Sequence, residues 1–246
     1  MEAELWQARL RDQLSRVQLS GQPQATRFMD PAQQQLARRL LAQFPDVPAV
    51  FEGGYAYAER RVLVLGEREG LWQMPVMALR ARWHEKYAHP GHRDMLGALM
   101  GLGMTREMLG DIVMLPGQAY LFAVPQAAEV ILRDLDSAGR AALRVESVDL
   151  DSVEIPEPEG KRCTLLLASL RLDALIQEAL GLSRAKAQEA VRAGKVQRNW
   201  QEELRVDAPV AQGDVYSVKG FGRIRIEGIA GETRKGRQRV EVFIPQ

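Results

Sequence analysis

Leu170–Trp200, LRLDALIQEALGLSRAKAQEAVRAGKVQRNW, decides how the last third of the chain folds. Leu172, Leu175, Ile176, Ala179 and Leu180 fall at i, i+3, i+4, i+7 and i+8, which is one face of a helix. Gly181 stops that helix, because only glycine takes the left-handed cap conformation without a Cβ clash. Ser183 starts a second helix as its N-cap, with its hydroxyl available to an orphan backbone N–H. Ala187, Ala190 and Val191 give this helix a thin apolar face, so it must pack closely. Gly194 ends it, and Lys195–Trp200 leaves in extended form. Arg184 and Lys186 occupy the first turn, where the helix dipole favours acids. Free N–H groups beside two cations form a phosphate-binding arrangement. Against this stands the plainer reading of a solvated helix end, and these residues alone leave the two even.

The chain beyond this stretch stays basic. In Lys219-Gly220-Phe221-Gly222-Arg223-Ile224-Arg225, alternation puts Arg223 and Arg225 on one face of a strand and the isoleucines on the other. Arg234, Lys235, Arg237 and Arg239 surround a turn at Gly236. Phe221, between glycines, can stack on a base or pack underneath. From Lys161 onward there are 16 Lys and Arg against 10 Asp and Glu, a net +6, while residues 1–160 hold 17 against 22, a net −5. The overall +1 hides this division. It suggests that the C-terminal part faces a polyanion and the rest does not, at least by bulk charge.

Arg171-Leu172-Asp173 with Leu175, then Ser183-Arg184 with Ala187, then Gly194, Val196 and Asn199, resemble the S4 domain, a small RNA-binding module. Gly213-Asp214-Val215 continues the likeness. Many S4 modules carry Asn-Gly at the hairpin where this chain has Asn199-Trp200, and tryptophan there resembles the YlmH-like subfamily. Gly53-Gly54-Tyr55, Ala58-Glu59-Arg60, His92–Ile112 (HRDMLGALMGLGMTREMLGDI) and the ending from Gly213 are also similar to that family, so the likeness runs from about Phe28 onward. The resemblance implies RNA binding, association with the large ribosomal subunit and tRNA in rescue of stalled translation, and a link to cell division.

Along the chain, Glu2–Leu19 reads as a helix with Leu5, Leu10, Leu14 and Val17 as its apolar stripe. Asp30 caps a second helix that has Pro31 at its first position, with Leu36, Leu40, Leu41 and Phe44 inward. Ala58–Gly66 reads as a strand partly buried on both faces. Then come a strand (Val76–Trp83), a helix (Asp94–Leu102), a short helical turn (Thr105–Leu109), a hairpin (Asp111–Leu115 and Ala119–Val124), a helix (Pro125–Asp136) and a strand (Leu143–Val148). Strand, helix, strand, strand, helix, strand is the ferredoxin-like order shared by RNA-recognition folds. The aromatic signature of those folds is absent, which argues against base stacking on the sheet. Asp149–Lys161, acidic with two prolines, reads as a linker.

The sequence carries no recognisable catalytic signature. His84, His89 and His92 are near one another but lack a fourth ligand for zinc. Gly101 and Gly103 do not complete a dinucleotide fingerprint, and no Walker sequence or nucleophile elbow occurs. The S4 module also occurs fused to pseudouridine synthases, whose aspartate motif is missing here. Cys163, the single cysteine, fits a reducing compartment. No run of 18 apolar residues is present, and the N-terminus lacks the apolar core of a signal peptide.

The expected protein is therefore α+β. It has a small N-terminal α/β domain (1–72), a ferredoxin- or RRM-like βαββαβ middle domain (73–150), a linker (151–161) and a C-terminal S4 (αL-type) RNA-binding domain (162–246). The expected RNA surface begins with Ser183, Arg184 and Lys186, with Arg171 and Lys195 beside them. It continues through Arg198, Asn199 and Trp200, then Lys219, Phe221, Arg223 and Arg225, and ends at Arg234, Lys235, Arg237 and Arg239. Lys86, His92, Arg93 and Arg106 are secondary RNA contacts. The expectation is a cytoplasmic, monomeric, non-catalytic protein without metal or cofactor, partnered by rRNA, tRNA and the large ribosomal subunit. Two other classes stay open: an RNA-modifying enzyme targeted by its S4 domain, and a cell-division interaction adaptor.

Overall fold

The computed structural model describes residues 2–66, 74–233 and 236–245. The chain forms two compact units, Met1–Pro156 and Glu157–Gln246.

The first unit opens with α1 (Glu2–Ser20), β1 (Gln24–Ala25), α2 (Pro31–Leu41), β2 (Ala49–Glu52) and β3 (Val62–Leu65). The strands form an antiparallel sheet in the order β1-β3-β2. Asp30 caps α2 as its position predicts: its carboxylate accepts from the Gln33 backbone N–H at 2.8 Å, and the Gln33 side chain accepts from the Asp30 N–H at 3.0 Å. Leu10, Leu14 and Val17 of α1 are buried, whereas Leu5 is exposed and Trp6 packs in its place. Of the residues expected inward on α2, Leu40 is buried and Leu36, Leu41 and Phe44 are half-buried; Ala37 and Gln34 are the other buried positions. The strand expected from Ala58 starts at Val62, because the preceding backbone is diverted to Asp111. That carboxylate accepts from the N–H groups of Glu59 (2.7 Å) and Arg60 (3.1 Å) and from the Tyr55 hydroxyl (3.0 Å).

β4 (Met77–Arg82), α3 (His92–Gly101), β5 (Leu109–Leu115), β6 (Gln118–Ala123), α4 (Pro125–Asp134) and β9 (Arg144–Val148) follow, with a small hairpin of β7 (Ser137–Ala138) and β8 (Ala141–Ala142) before β9. That hairpin is not among the elements expected from the sequence. The main sheet is antiparallel throughout, in the order β5-β6-β4-β9. Residues 1–66 and this sheet share one unit for a reason visible in β3. Leu63 and Leu65 point into the core with α1 and α2, while Val62 and Val64 join the core of the four-stranded sheet. Successive strand residues face opposite ways, so one strand seals two cores. Arg60 adds a polar tie, donating to the carbonyls of Leu109 (2.9 Å), Phe28 (3.3 Å) and Arg106 (2.9 Å). In the segment expected as a linker, Val153 and Ile155 pack against this same core.

The second unit holds β10 (Gly160–Leu167), α5 (Leu172–Leu180), α6 (Arg184–Arg192), β11 (Val196–Arg198), β12 (Gln201–Glu202), β13 (Val215–Val218), β14 (Gly222–Glu232) and β15 (Gln238–Pro245). Its six strands are antiparallel in the order β10-β15-β14-β13-β11-β12. Leu172, Leu175 and Ile176 of α5 and Ala187, Ala190 and Val191 of α6 are buried with Tyr216, Ile224, Ile226, Val240 and Val242 from the sheet. Gly181 ends α5 in the left-handed conformation at φ 63°. Ser183 caps α6, its hydroxyl accepting from the Lys186 N–H at 3.3 Å.

Candidate nucleic-acid interface

The hairpin after α6 turns at Asn199 (φ 52°) and Trp200 (φ 64°), both left-handed. Two such residues in a two-residue turn match the right-handed twist of the flanking strands. Asparagine tolerates this conformation; a bulky side chain rarely does. Asn199 earns its place through hydrogen bonds: its backbone N–H and side-chain oxygen pair with the backbone of Val215, both at 2.7 Å, and its amide donates to Asp214 at 2.8 Å. Asp214 is buried and also accepts from the Ala211 N–H (2.9 Å), the Tyr216 hydroxyl (2.9 Å) and Arg198 (2.7 Å). Burial first, then the charge of Asp214, push the Tyr216 phenol far above its ordinary pKa. Arg198 and Asn199, expected on the RNA surface, are thus engaged inward and hold the hairpin.

At the start of α6, Ser183, Arg184 and Lys186 are exposed. Arg171 is not a spare cation there. It binds the buried Asp173 at 3.0 and 3.3 Å, with Gln188 donating to the same carboxylate at 2.9 Å and Arg184 lying 3.7 Å away. Burial alone would raise the Asp173 pKa. The hydrogen bonds from Arg171 and Gln188, with the Arg171 charge and the Ala174 N–H, outweigh it and hold the carboxyl below its ordinary range. Lys195 does not join this end. It follows the other end of α6, and nine helical residues at 1.5 Å each separate the two by roughly 14 Å.

Lys195 instead joins a second cluster. Gln197, Ser217 and Arg223 lie side by side across β11, β13 and β14, and the Lys219 N–H donates to the Lys195 carbonyl at 2.8 Å. This register brings Lys195, Lys219 and Arg223 around an open groove of about 540 Å³ with Gly194, Gln197 and Ser217. The Arg223 guanidinium lies 5.8 Å from the centre of the half-exposed Trp200 ring. Phe221, at the tip of the β13–β14 hairpin, is 48% exposed rather than packed underneath. Arg225 does share a face with Arg223, opposite the buried Ile224 and Ile226. It is spent on packing, however: it lies over Phe243 at 4.7 Å and pairs with Glu227 at 3.1 Å, while Arg162 covers Phe243 at 5.1 Å and pairs with the same glutamate. Arg237 and Arg239 are exposed on and after the last turn. Arg234 and Lys235 lie outside the described residues.

In the first unit, Lys86, His92, Arg93 and Arg106 are all exposed but do not form one patch. His92 and Arg93 begin α3, Arg106 lies beyond its far end, and Lys86 sits in the preceding loop, 5.8 Å from the Tyr87 ring. Among the described residues no three His, Cys, Asp or Glu side chains gather as a metal site would require, and no helix is long and apolar enough to cross a membrane. Sequence reasoning missed the roles of Asp173 and Asp214. Their one signal is that each is an acid inside an otherwise basic motif.

An open cationic groove with an adjacent tryptophan has the chemistry of a surface for an extended polyanion. The comparisons with known proteins fit that class. Residues 6–69 match the family model "YlmH, N-terminal", and residues 73–152 match "Putative RNA-binding domain in YlmH". The chain is 34% identical over 229 residues, 91% of its length, to the "Ribosome-associated protein quality control protein P2" of Bacillus subtilis (strain 168), covering 88% of that protein. The chain belongs to the YlmH family. Its fold is also similar to that of a solved "Cell division protein ylmH from Streptococcus pneumoniae", with a TM-score of 0.53 at 17% identity, over 63% of this chain and 96% of that one.

Proposed function

We propose that this protein is a non-catalytic RNA-binding factor that docks on the large ribosomal subunit, contacts rRNA and tRNA together, and serves the rescue of stalled translation in the cytoplasm. The C-terminal unit is the anchoring S4 module, and the sheet of β4, β5, β6 and β9 is a ferredoxin-like companion. The observation that carries this reading is the groove in which β-sheet register converges Lys195, Lys219 and Arg223 beside Trp200. Lysines in an open groove bind phosphate without demanding a base sequence, and an adjacent indole offers a face to an unpaired base. The name of the Bacillus subtilis relative supports the ribosomal setting.

Co-sedimentation with separated ribosomal subunits over a series of salt concentrations tests it. The protein is expected in the large-subunit fraction at low salt and is released as salt rises, and Lys195→Ala with Lys219→Ala releases it earlier. Protein that stays at the top of the gradient at low salt overturns the reading. Incubation with RNA followed by mass analysis of the nucleosides is expected to show no new base, and a modified base would favour the enzyme class instead.

A further inference from the structure

The face of the central sheet turned away from α3 and α4 is divided in two. Leu79, Ala81, Ala119 and Leu121 point the other way, into the core with Met95, Leu99, Ala127 and Ile131. On the outward face, the half near Phe122 is covered from within the chain. Tyr55 stacks on Phe122 with ring centres 4.9 Å apart, and Gly110 admits Phe28 so closely that a Cβ there would lie 2.7 Å from its ring. The other half is open and carries charge. Arg82 of β4 stands directly opposite Arg144 of β9, and on the next rung Arg80 stands opposite Glu146.

Like charges directly opposite each other destabilise a sheet. Among the described residues one acid, Glu146, answers the three arginines on these rungs, its Oε1 lying 2.7 Å from Arg80 and 3.5 Å from Arg82, while the buried Tyr120 of β6 stands against Arg80 on its other side. The hydrogen bond from Arg80, with the charges of Arg82 and Arg144, holds the Glu146 carboxyl below its ordinary range. Pairing within the face therefore accounts for Arg80 and Glu146. It leaves Arg82 opposite Arg144 as a like-charged rung that the longer Arg82–Glu146 contact offsets in part, its side chains reaching water. On the other side of Arg82, Gln118 of β6 adds an amide to the same rung.

We propose that this open half-face is a second RNA-backbone site, in which Arg82 and Arg144 take phosphates of a strand crossing β4 and β9 while Arg80 and Glu146 brace them. The inference rests on the RNA-binding reading above and adds a contact surface to it. Of the aromatic side chains on this face, Phe122 is stacked on Tyr55 and Tyr120 is buried, so recognition here is by phosphate and not by base stacking.

The test uses the full chain, a fluorescein-labelled RNA hairpin and a potassium chloride series. Each lost phosphate contact flattens the log–log salt dependence by about 0.7–0.9. Arg82→Gln with Arg144→Gln is expected to flatten it by about 1.4–1.8 and to leave the melting temperature unchanged or higher, since a repulsion is removed. Ultraviolet crosslinking followed by peptide mapping is expected to mark β4 and β9. If the wild type binds and Lys195→Ala with Lys219→Ala weakens it, but the arginine pair leaves the slope unchanged, this inference alone is overturned. A fall in melting temperature without loss of binding also overturns it, because the rung is then structural. If the wild type does not bind the hairpin at all, the RNA-binding reading and this inference fall together.

Discussion

The guanidinium of Arg198, the last residue of β11, lies 2.7 Å from the buried carboxylate of Asp214, which immediately precedes the neighbouring strand β13. Asp214 gathers four donors, from Arg198, Asn199, Tyr216 and the backbone of Ala211. Removing one partner of such a pair strands the others in a poorly solvated place. Asp214→Ala is expected to destabilise the C-terminal unit by about 3–5 kcal/mol in urea denaturation. Arg198→Gln should leave the salt dependence of RNA binding unchanged, because that charge is already satisfied inside the protein. A clear flattening in a folded Arg198→Gln protein would return Arg198 to the RNA surface.

Asp173 gives the C-terminal unit an acid-sensitive contact. Its folded pKa is depressed below the ordinary value of 3.8, so its carboxylate form stabilises the fold above that value. The contribution disappears as pH falls from 3.8 through the lower folded value. Asp173→Asn keeps the shape and removes the charge, at an expected cost of about 2 kcal/mol at neutral pH. Urea denaturation of both proteins should show that difference constant from pH 7 to about pH 4 and shrinking at lower pH. An equal difference at every pH would mean that the carboxylate charge contributes nothing.

Arg184 lies 3.7 Å from Asp173, so reversing its charge would place two acids together and disturb the fold. Lys186 has no ion pair among the described residues and is the cleaner probe of the α6 start. The two ends of α6 can then be compared. Lys186→Ala should flatten the salt dependence of RNA binding by at most about 0.9, and Lys195→Ala with Lys219→Ala by about 1.4–1.8. Both changes should weaken different RNAs alike, since phosphate carries no sequence. If Lys186→Ala has the larger effect, the helix start is the principal anion site.

The α5–α6 stretch was legible because its signals are local. A serine cap, two glycine stops and a 3.6-residue apolar period all act within one turn. The run Val62-Leu63-Val64-Leu65 was legible as a strand partly buried on both faces, but not as one shared by two cores, since alternation says nothing about what lies opposite. The boundary expected near residue 72 thus falls inside one compact unit, although the two family models also divide the chain there, at residues 6–69 and 73–152. The basic residues show the same limit. Lys195 and Lys219 meet, and Arg225 turns to Glu227 and Phe243, through cross-strand register, which composition and local motifs do not encode. The charge count marks the last third of the chain as basic, but not which cations are committed to Asp173, Asp214 and Glu227.

Trp200 separates stability from binding. At φ 64° it occupies a conformation that costs a side-chain-bearing residue about 1–2 kcal/mol and costs glycine almost nothing. The tight hairpin would accept glycine at this position with Asn199 unchanged. Trp200→Gly should therefore keep the urea midpoint or raise it, unless the indole gains more from its contact with Arg223 than the backbone loses. RNA affinity is expected to move the other way. Loss of a stacking face costs about 1–3 kcal/mol per base, and because stacking releases no counterions the salt slope should not change. Urea denaturation and the salt series, made on the same preparation, read both quantities. A protein at least as stable as wild type, with weaker binding and an unaltered slope, assigns the strained tryptophan to RNA. Unchanged affinity, or a lowered midpoint, assigns it to the hairpin.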